Sequence, residues 1–240
     1  MLSKNELKYI QSLCHKKQRE ESGLFLAEGP KLVEELLQSD YRIKKILATD
    51  QWYQEHQSVP AIEQVTEIDL ARISSLQTPN QVLAIVEQKY PEGEPVMHGR
   101  LSLVLDGIQD PGNMGTIIRI ADWFGVDQVI ASEDTVELYN PKVIQSTMGS
   151  FMRIKLWYKS LSQFVAVLDV PVYGALLAGN NLYELKAPKE GVLIIGNESK
   201  GIRAPLLPFI TNPVTIPRIG GAESLNAAVA TGILLSHLVT

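Results

Sequence analysis

Apolar and polar positions along the chain change rhythm near residue 100. Before it, amphipathic and apolar segments alternate: a helix is predicted near 4–17, a strand at 24–27, a helix from Pro30 to Gln38 and a strand at 43–48. A helix near 67–75 and a strand at 81–87 complete a small α/β unit. Pro30 suits a first helical turn, where the N–H it lacks has no intrahelical partner. Residues 90–99, YPEGEPVMHG, have no apolar periodicity and are predicted to link a domain at 1–89 to a second at 100–240.

From Leu101 the pattern becomes strand then helix, repeated. LSLVL at 101–105 leads to a helix over 114–124, a strand at 127–131 and shorter units up to a strand at 171–177. Strands at 191–195 and 213–216 follow, and a last helix runs from about Ser224, its predicted N-cap, to Leu238. Near-continuous apolar strands separated by helices predict an α/β fold with a parallel sheet covered on both faces. Ligands of such sheets bind beyond the carboxyl ends of the strands.

Composition narrows the chemistry. With 240 residues, 45% hydrophobic and 20% charged, the chain is globular in character and long enough for two modest cores. No apolar stretch approaches the ~20 residues of a membrane span, and the N-terminus lacks the apolar core of a signal peptide, so a cytoplasmic protein is expected. Cys14 is the only cysteine, which excludes internal disulfides and cysteine-ligated metal clusters, and it reads as an inert helix residue. His15, His56, His98 and His237 lack ligand spacing, so metal-free chemistry is expected. A net charge of −5 argues against broad, non-specific nucleic-acid binding but allows a local basic face. Lys4, Lys8, His15, Lys16, Lys17, Arg19, Lys31, Arg42, Lys44 and Lys45 cluster early in the chain, as a solvated helix face or an RNA footprint would.

Three segments carry candidate chemistry. In DGIQDPGNMGTIIRIADWFG, 106–125, a strand ends in a Pro-Gly-Asn turn; Asn113 can cap the helix that follows, and Arg119, in its second turn, offers a planar fork suited to phosphate. Its glycines do not make a dinucleotide fingerprint. GVLIIGNESKGIR, 191–203, resembles a P-loop only superficially, because Ile202 and Arg203 stand where Lys and Ser/Thr are required. Glu198 in that loop suits a sulfonium, an amino group or a ribose hydroxyl and would repel phosphate oxygens. VTIPRIGGAESLNAAVAT, 214–231, runs through a Gly-Gly turn into a helix of small residues that permit close packing.

Taken in order, NMGTIIRIADWFG, IIGNESKG and IPRIGGAESLNAAVA resemble the three motifs of the SpoU/TrmH family of RNA 2′-O-methyltransferases over roughly 101–240. The segment KKQREESGLFLAEGPKLVEELL looks more loosely like the ribosomal-protein-type RNA-binding extension that precedes the catalytic domain in many members. The resemblance implies a trefoil-knotted α/β catalytic domain with S-adenosylmethionine as methyl donor and no metal. Carried over by motif, Leu176, Leu177, Gly196, Ile216, Ser224 and Leu225 would form the cofactor pocket, and Asn113, Arg119, Glu198, Ser224 and Asn226 the catalytic site. It also implies a homodimer whose active sites borrow from both chains, with Trp123, Phe124 and the C-terminal helix compatible with the interface.

An arginine normally stays protonated, so Arg119 is expected to hold the adjacent phosphate and lower the hydroxyl pKa, the proton leaving through Glu198 or water. The N-terminal extension favours ribosomal RNA over tRNA, because a second module can fix one loop while the catalytic domain takes the nucleotide. The competing readings are a non-catalytic RNA-binding relative and a base methyltransferase of the wider knotted superfamily.

Overall fold

The computed structural model describes residues 2–239. Up to residue 89 the elements are α1 (Lys4–Ser12), α2 (Lys16–Ser22), β1 (Leu24–Glu28), α3 (Pro30–Leu37), β2 (Ile43–Ala48), α4 (Asp50–Glu55), β3 (Ile62–Gln64), α5 (Glu67–Ile73) and β4 (Val82–Glu87). Then follow β5 (Leu101–Asp106), α6 (Pro111–Trp123), β6 (Gln128–Ser132), α7 (Pro141–Thr147), β7 (Lys155–Lys159), α8 (Leu161–Ala166), β8 (Val172–Asn181), β9 (Gly191–Gly196), β10 (Asn212–Thr215) and α9 (Ala227–Leu238). The chain divides into two compact units, one formed by residues up to Lys89 together with Tyr139–Met152, the other by Tyr90–Leu138 and the residues from Arg153 onward.

In the first unit a four-stranded sheet has the order β1-β4-β2-β3, with β4 antiparallel to both β1 and β2 and β3 parallel to β2. Leu26, Leu47, Leu83 and Ile85 from its strands pack with Ile10, Leu13, Leu70 and Ile73 from the helices. Pro30 occupies the first turn of α3, as its missing donor predicts. The helix expected over 4–17 is two helices instead. The break turns both Leu13 and Arg19 inward, and the buried Arg19 guanidinium donates to the Leu13 carbonyl at 2.7 Å, satisfying an acceptor that the end of α1 would otherwise leave unpaired.

The second unit is a six-stranded sheet, parallel throughout, in the order β10-β8-β9-β5-β6-β7. Two features lie outside what the sequence pattern shows. Residues 139–152 cluster with the first unit: the Tyr139 and Phe151 rings lie 4.6 and 5.8 Å from that of Phe25. Aromatic contacts across more than a hundred residues leave no local periodicity to read. The segment 90–99 is not a free tether. Gln128 accepts from the Val96 N–H at 2.9 Å and donates to the Val96 carbonyl at 2.6 Å, the Trp157 indole donates to the Gly93 carbonyl at 3.0 Å, and Met97 joins the core.

Because the sheet is parallel, the loops leaving β10, β8, β9 and β5 emerge at one edge. β8 runs on to Asn181, beyond the predicted end at 177, and its register against β10 jumps: Pro213 faces Gly174, yet Val214 faces Asn180. Residues 175–179, including Leu176 and Leu177, therefore bulge from the ladder at this edge.

Candidate active site

At the start of α6 the Asp110 carboxylate accepts the Asn113 N–H at 2.8 Å, and Pro111 occupies a first-turn position. The predicted Pro-Gly-Asn turn is thus the first helical turn, the cap is Asp110 instead of Asn113, and Arg119 falls in the third turn instead of the second. The Asn113 amide is released for another role. At the other end of the motif set, α9 begins at Ala227 and its cap is Asn226, not Ser224. Asn226 Oδ1 accepts from the N–H groups of Ala228 and Val229 at 3.0 and 3.2 Å, whereas Ser224 is exposed in the preceding loop. Asparagine is at least as good a cap as serine, and here its side chain reaches two orphan donors at once.

These two helix starts meet at a carboxylate. Since Asn226 Oδ1 is committed to the helix, its Nδ2 is the donor, reaching Asn113 Oδ1 at 2.8 Å. Asn113 Nδ2 then donates to Glu198 Oε1 at 2.8 Å. The α9 cap therefore sets the orientation of both amides and assigns Glu198 Oε1 the acceptor role, leaving Oε2 for another group. The helices that carry the asparagines pack together; Gly232 on α9 faces Ile120 on α6.

Glu198 sits on a loop tied by hydrogen bonds. Asn197 Nδ2 donates to the Gly107 carbonyl at 2.7 Å, and Asn197 Oδ1 accepts from the Ser199 and Lys200 N–H groups at 2.9 and 3.2 Å. The backbones of Asn197 and Gly201 exchange two hydrogen bonds, at 3.1 and 2.9 Å. A Cβ on Gly196 would collide with the backbone of Gly201 and Ile202, so this hairpin requires glycine there. Beyond it, Arg203 locks the loop to the ends of β5 and β6. Its N–H donates to Asp106 Oδ2 at 2.8 Å, Nε to Asp106 Oδ1 at 2.5 Å, and Nη1 and Nη2 to the Asp134 carboxylate at 3.0 and 3.2 Å.

Asp106 is fully buried, and its carboxylate raises the Arg203 pKa. The Ser132 hydroxyl, and then Arg203, hold the Asp134 carboxyl below its ordinary range. Asp106, Ser132, Asp134, Lys159, Ser160 and Arg203 line a cavity of about 470 Å³ beyond β5–β7. Sequence reading missed this clamp, as it missed Asn197 and Asp110. The signal available was Asp106 itself, a carboxylate closing an apolar strand, because buried charges require partners.

Asn113, Glu198 and Asn226 are brought together; Arg119 and Ser224 are not bonded to them. Arg119 is exposed on α6, makes no hydrogen bond or ion pair among the described residues, and shares a helix face with Trp123 one turn on. Trp123 is 84% exposed. Of the expected cofactor residues, Gly196 ends β9, Ile216 follows β10, and Leu176 packs on the core from the β8 bulge. Leu177, 77% exposed, accepts a hydrogen bond at its carbonyl from Thr215 at 3.2 Å, and Leu225 is exposed in the loop before α9. Exposed leucines beside irregular backbone at the ends of adjacent strands suit an adenine ring, which needs apolar faces and backbone hydrogen-bonding groups. No cluster of three or more His, Cys, Asp or Glu that could hold a metal ion occurs among the described residues.

The fold is thus a parallel α/β sheet that carries, at the edge where such sheets bind ligands, a carboxylate oriented by two asparagines. The chain belongs to the SpoU rRNA methylase family: residues 100–236 match that family, and residues 4–84 match the MRM3-like substrate binding domain. Among curated relatives it is 36% identical to the 23S rRNA (guanosine(2553)-2′-O)-methyltransferase RlmP of Bacillus subtilis, over 98% of this chain and 97% of that one. A TrmH-family protein from Porphyromonas gingivalis superposes with a TM-score of 0.89 at 38% identity, covering 99% of this chain and 98% of the other. An AdoMet-bound rRNA methyltransferase from Sinorhizobium meliloti superposes with a TM-score of 0.88 at 32% identity, covering 99% and 95%.

Proposed function

We propose that the protein transfers a methyl group from S-adenosylmethionine to a ribose 2′-hydroxyl of RNA, with ribosomal RNA as the substrate. The observation that carries this reading is the Asn226–Asn113–Glu198 relay, which joins residues from all three motifs through two 2.8 Å hydrogen bonds. The names of the relatives support ribosomal RNA in particular, and a cytoplasmic site of action fits a substrate of that kind.

S-adenosylmethionine, when bound, supplies an electrophilic methyl group on a sulfonium. Leu176, Leu177, Gly196, Ile216 and Leu225 would hold it at the carboxyl edge of β8–β10, together with the backbone around Ser224. Glu198 is kept by Asn113 with one oxygen engaged and the other available to the ribose hydroxyl or to a water beside it, the outlet for the departing proton. Arg119 binds the adjacent phosphate through its fork and lowers the hydroxyl pKa by its charge.

Arg119 comes from a second copy of the chain. The outer side of α6 and α9 presents Trp123 and Val229 to solvent, although α9 is apolar nearly all round, and a helix of that composition calls for a covering partner. Association through this face makes a homodimer and carries the Arg119 of each chain toward the site of the other. C-terminal threading into a trefoil knot accompanies this arrangement in our reading of the β8–β10 edge.

The test is incorporation of labelled methyl from S-adenosylmethionine into a 23S rRNA transcript, with a tRNA pool in parallel. Labelling of the transcript, lost in Glu198→Gln, is the expected result. Labelling of tRNA alone would replace the ribosomal reading, and cofactor binding without transfer to either RNA would favour the non-catalytic one.

A further inference from the structure

The first unit contains a cavity that methyl transfer does not use. It measures about 190 Å³ and is bounded by the Gly29–Leu32 turn, Asn80, and Gln145 and Met148 of the returning segment. Ligand pockets for drug-sized molecules start at ~300 Å³, so this one suits a single ring system, not a whole cofactor.

Its lining includes polar side chains without a protein partner. The side-chain amides of Asn80 and Gln145 make no hydrogen bond among the described residues. Each can donate and accept on one edge, the pattern that reads a nucleobase. Met148 adds a polarizable apolar surface, 49% exposed, and is held out by a left-handed backbone with φ 50°. That conformation is the left-handed cap that ends α7, a position glycine usually fills.

Charge points the same way. Half of the early basic residues are ion-paired, Lys16 to Glu20, Lys17 to Glu21, Arg42 and Lys44 to Glu87, Lys45 to Glu6 and Glu63, whereas Lys4 and Lys8 on α1 are not, among the described residues. Lys31, at the cavity, has no ion pair among the described residues and is exposed. Two carboxylates also line the space. Glu28 is consumed by the Ser74 hydroxyl at 2.5 Å and by the Ser75 N–H and hydroxyl at 2.8 and 2.5 Å. Glu35 has an interaction of its own, and its charge disfavours a phosphate in the interior.

We propose that this cavity takes the base of an unpaired RNA nucleotide, with Asn80 and Gln145 on its edge, Met148 against its face and Lys31 on the neighbouring phosphate. The inference rests on the RNA-directed reading above and extends it to a second foothold. It also gives a role to the excursion of 139–152, which supplies half the recognition surface. Unstacked bases in loops and bulges are how proteins read RNA sequence, since the major groove of its duplex is closed to side chains.

The experiment uses the full chain and a 23S rRNA transcript as probe. Asn80→Ala with Gln145→Ala, and separately Met148→Gly, are compared with wild type for RNA Kd, KM and kcat, and for S-adenosylmethionine binding. Met148→Gly suits the left-handed position better than methionine does, so folding is preserved. Each variant is expected to raise the RNA Kd and KM about tenfold, with kcat at saturating RNA within about twofold and cofactor binding unaltered. Wild-type RNA affinity in both variants, alongside normal methyl transfer, would overturn the cavity's role and leave the methyltransferase reading standing. A wild type that neither binds nor labels the transcript would sink both.

Discussion

Replacing Asn226 by aspartate separates the two jobs of its side chain. Aspartate caps a helix about as well as asparagine, so α9 keeps its acceptor for the Ala228 and Val229 N–H groups. It has no donor for Asn113, and its second oxygen would face Asn113 Oδ1 across the present 2.8 Å. Asn113 must turn its amide over, which sets its oxygen against Glu198. The turned amide donates to the new carboxylate, so the first bond is replaced, and what Glu198 loses is one charge-assisted bond, about 1.5–3 kcal/mol of orienting free energy. At about 1.4 kcal/mol per tenfold, that is a fall of ~10- to ~10²-fold in kcat if the orientation is needed only in the transition state.

Asn226→Ala is the control, since it loses cap and relay together. The missing cap costs about 1 kcal/mol, which lowers Tm by about 2–4 °C in a chain of this length. Initial rates of labelled-methyl transfer, read with Tm and cofactor affinity, separate the cases. Asn226→Asp should keep Tm and cofactor binding and lose rate. Full activity in that variant, with Glu198→Gln inactive, would refute the idea that the asparagines orient Glu198.

Other outcomes follow from the same geometry. Arg119→Lys keeps the charge but not the fork, so activity should fall at least about tenfold with cofactor affinity unchanged; retained activity with a shifted pH profile would point instead to a proton-transfer role. Arg203→Met leaves Asp106 buried with only its backbone donor, and should cost about 3 kcal/mol in urea unfolding, the low end for a broken buried pair because Arg203 is itself half-exposed; an unchanged midpoint would show that the clamp is not structural. Glu6 closes a capping box at the start of α1, and the Ser3 N–H and hydroxyl, then Lys45, lower its pKa from 4.5 to about 2. A depressed carboxylate stabilises the fold fully above its unfolded pKa and stops doing so as pH falls through about 2, so the α1 cap should survive at pH 4. An NMR titration of Glu6 with its midpoint near 4.5 would contradict that.

What the sequence discloses about this fold depends on how local each determinant is. The buried strands β5 and β9 were legible because both faces are covered, which leaves unbroken apolar runs bounded by turn residues. Asn113, Glu198 and Asn226 were found as motif residues, but not as a relay, since residues 85 and 113 positions apart declare no hydrogen bond in a linear pattern. Ser224 was preferred as the α9 cap because it precedes a run of small residues, and the competing Asn226 lies only two positions on. The packing of 139–152 with the first unit is not legible for a different reason: what holds that segment there is a cluster of Phe25, Tyr41, Tyr139 and Phe151 rings, which forms only in three dimensions.

The central claim is that the reacting atom is a ribose 2′-oxygen. Ribosomal RNA from cells lacking this protein, incubated with the pure enzyme and labelled S-adenosylmethionine and then digested to nucleosides, tests it directly. The account predicts label in a single 2′-O-methylated nucleoside that resists alkaline cleavage at its 3′ side; label in a base-methylated nucleoside, or none at all in RNA that the protein binds, would contradict it.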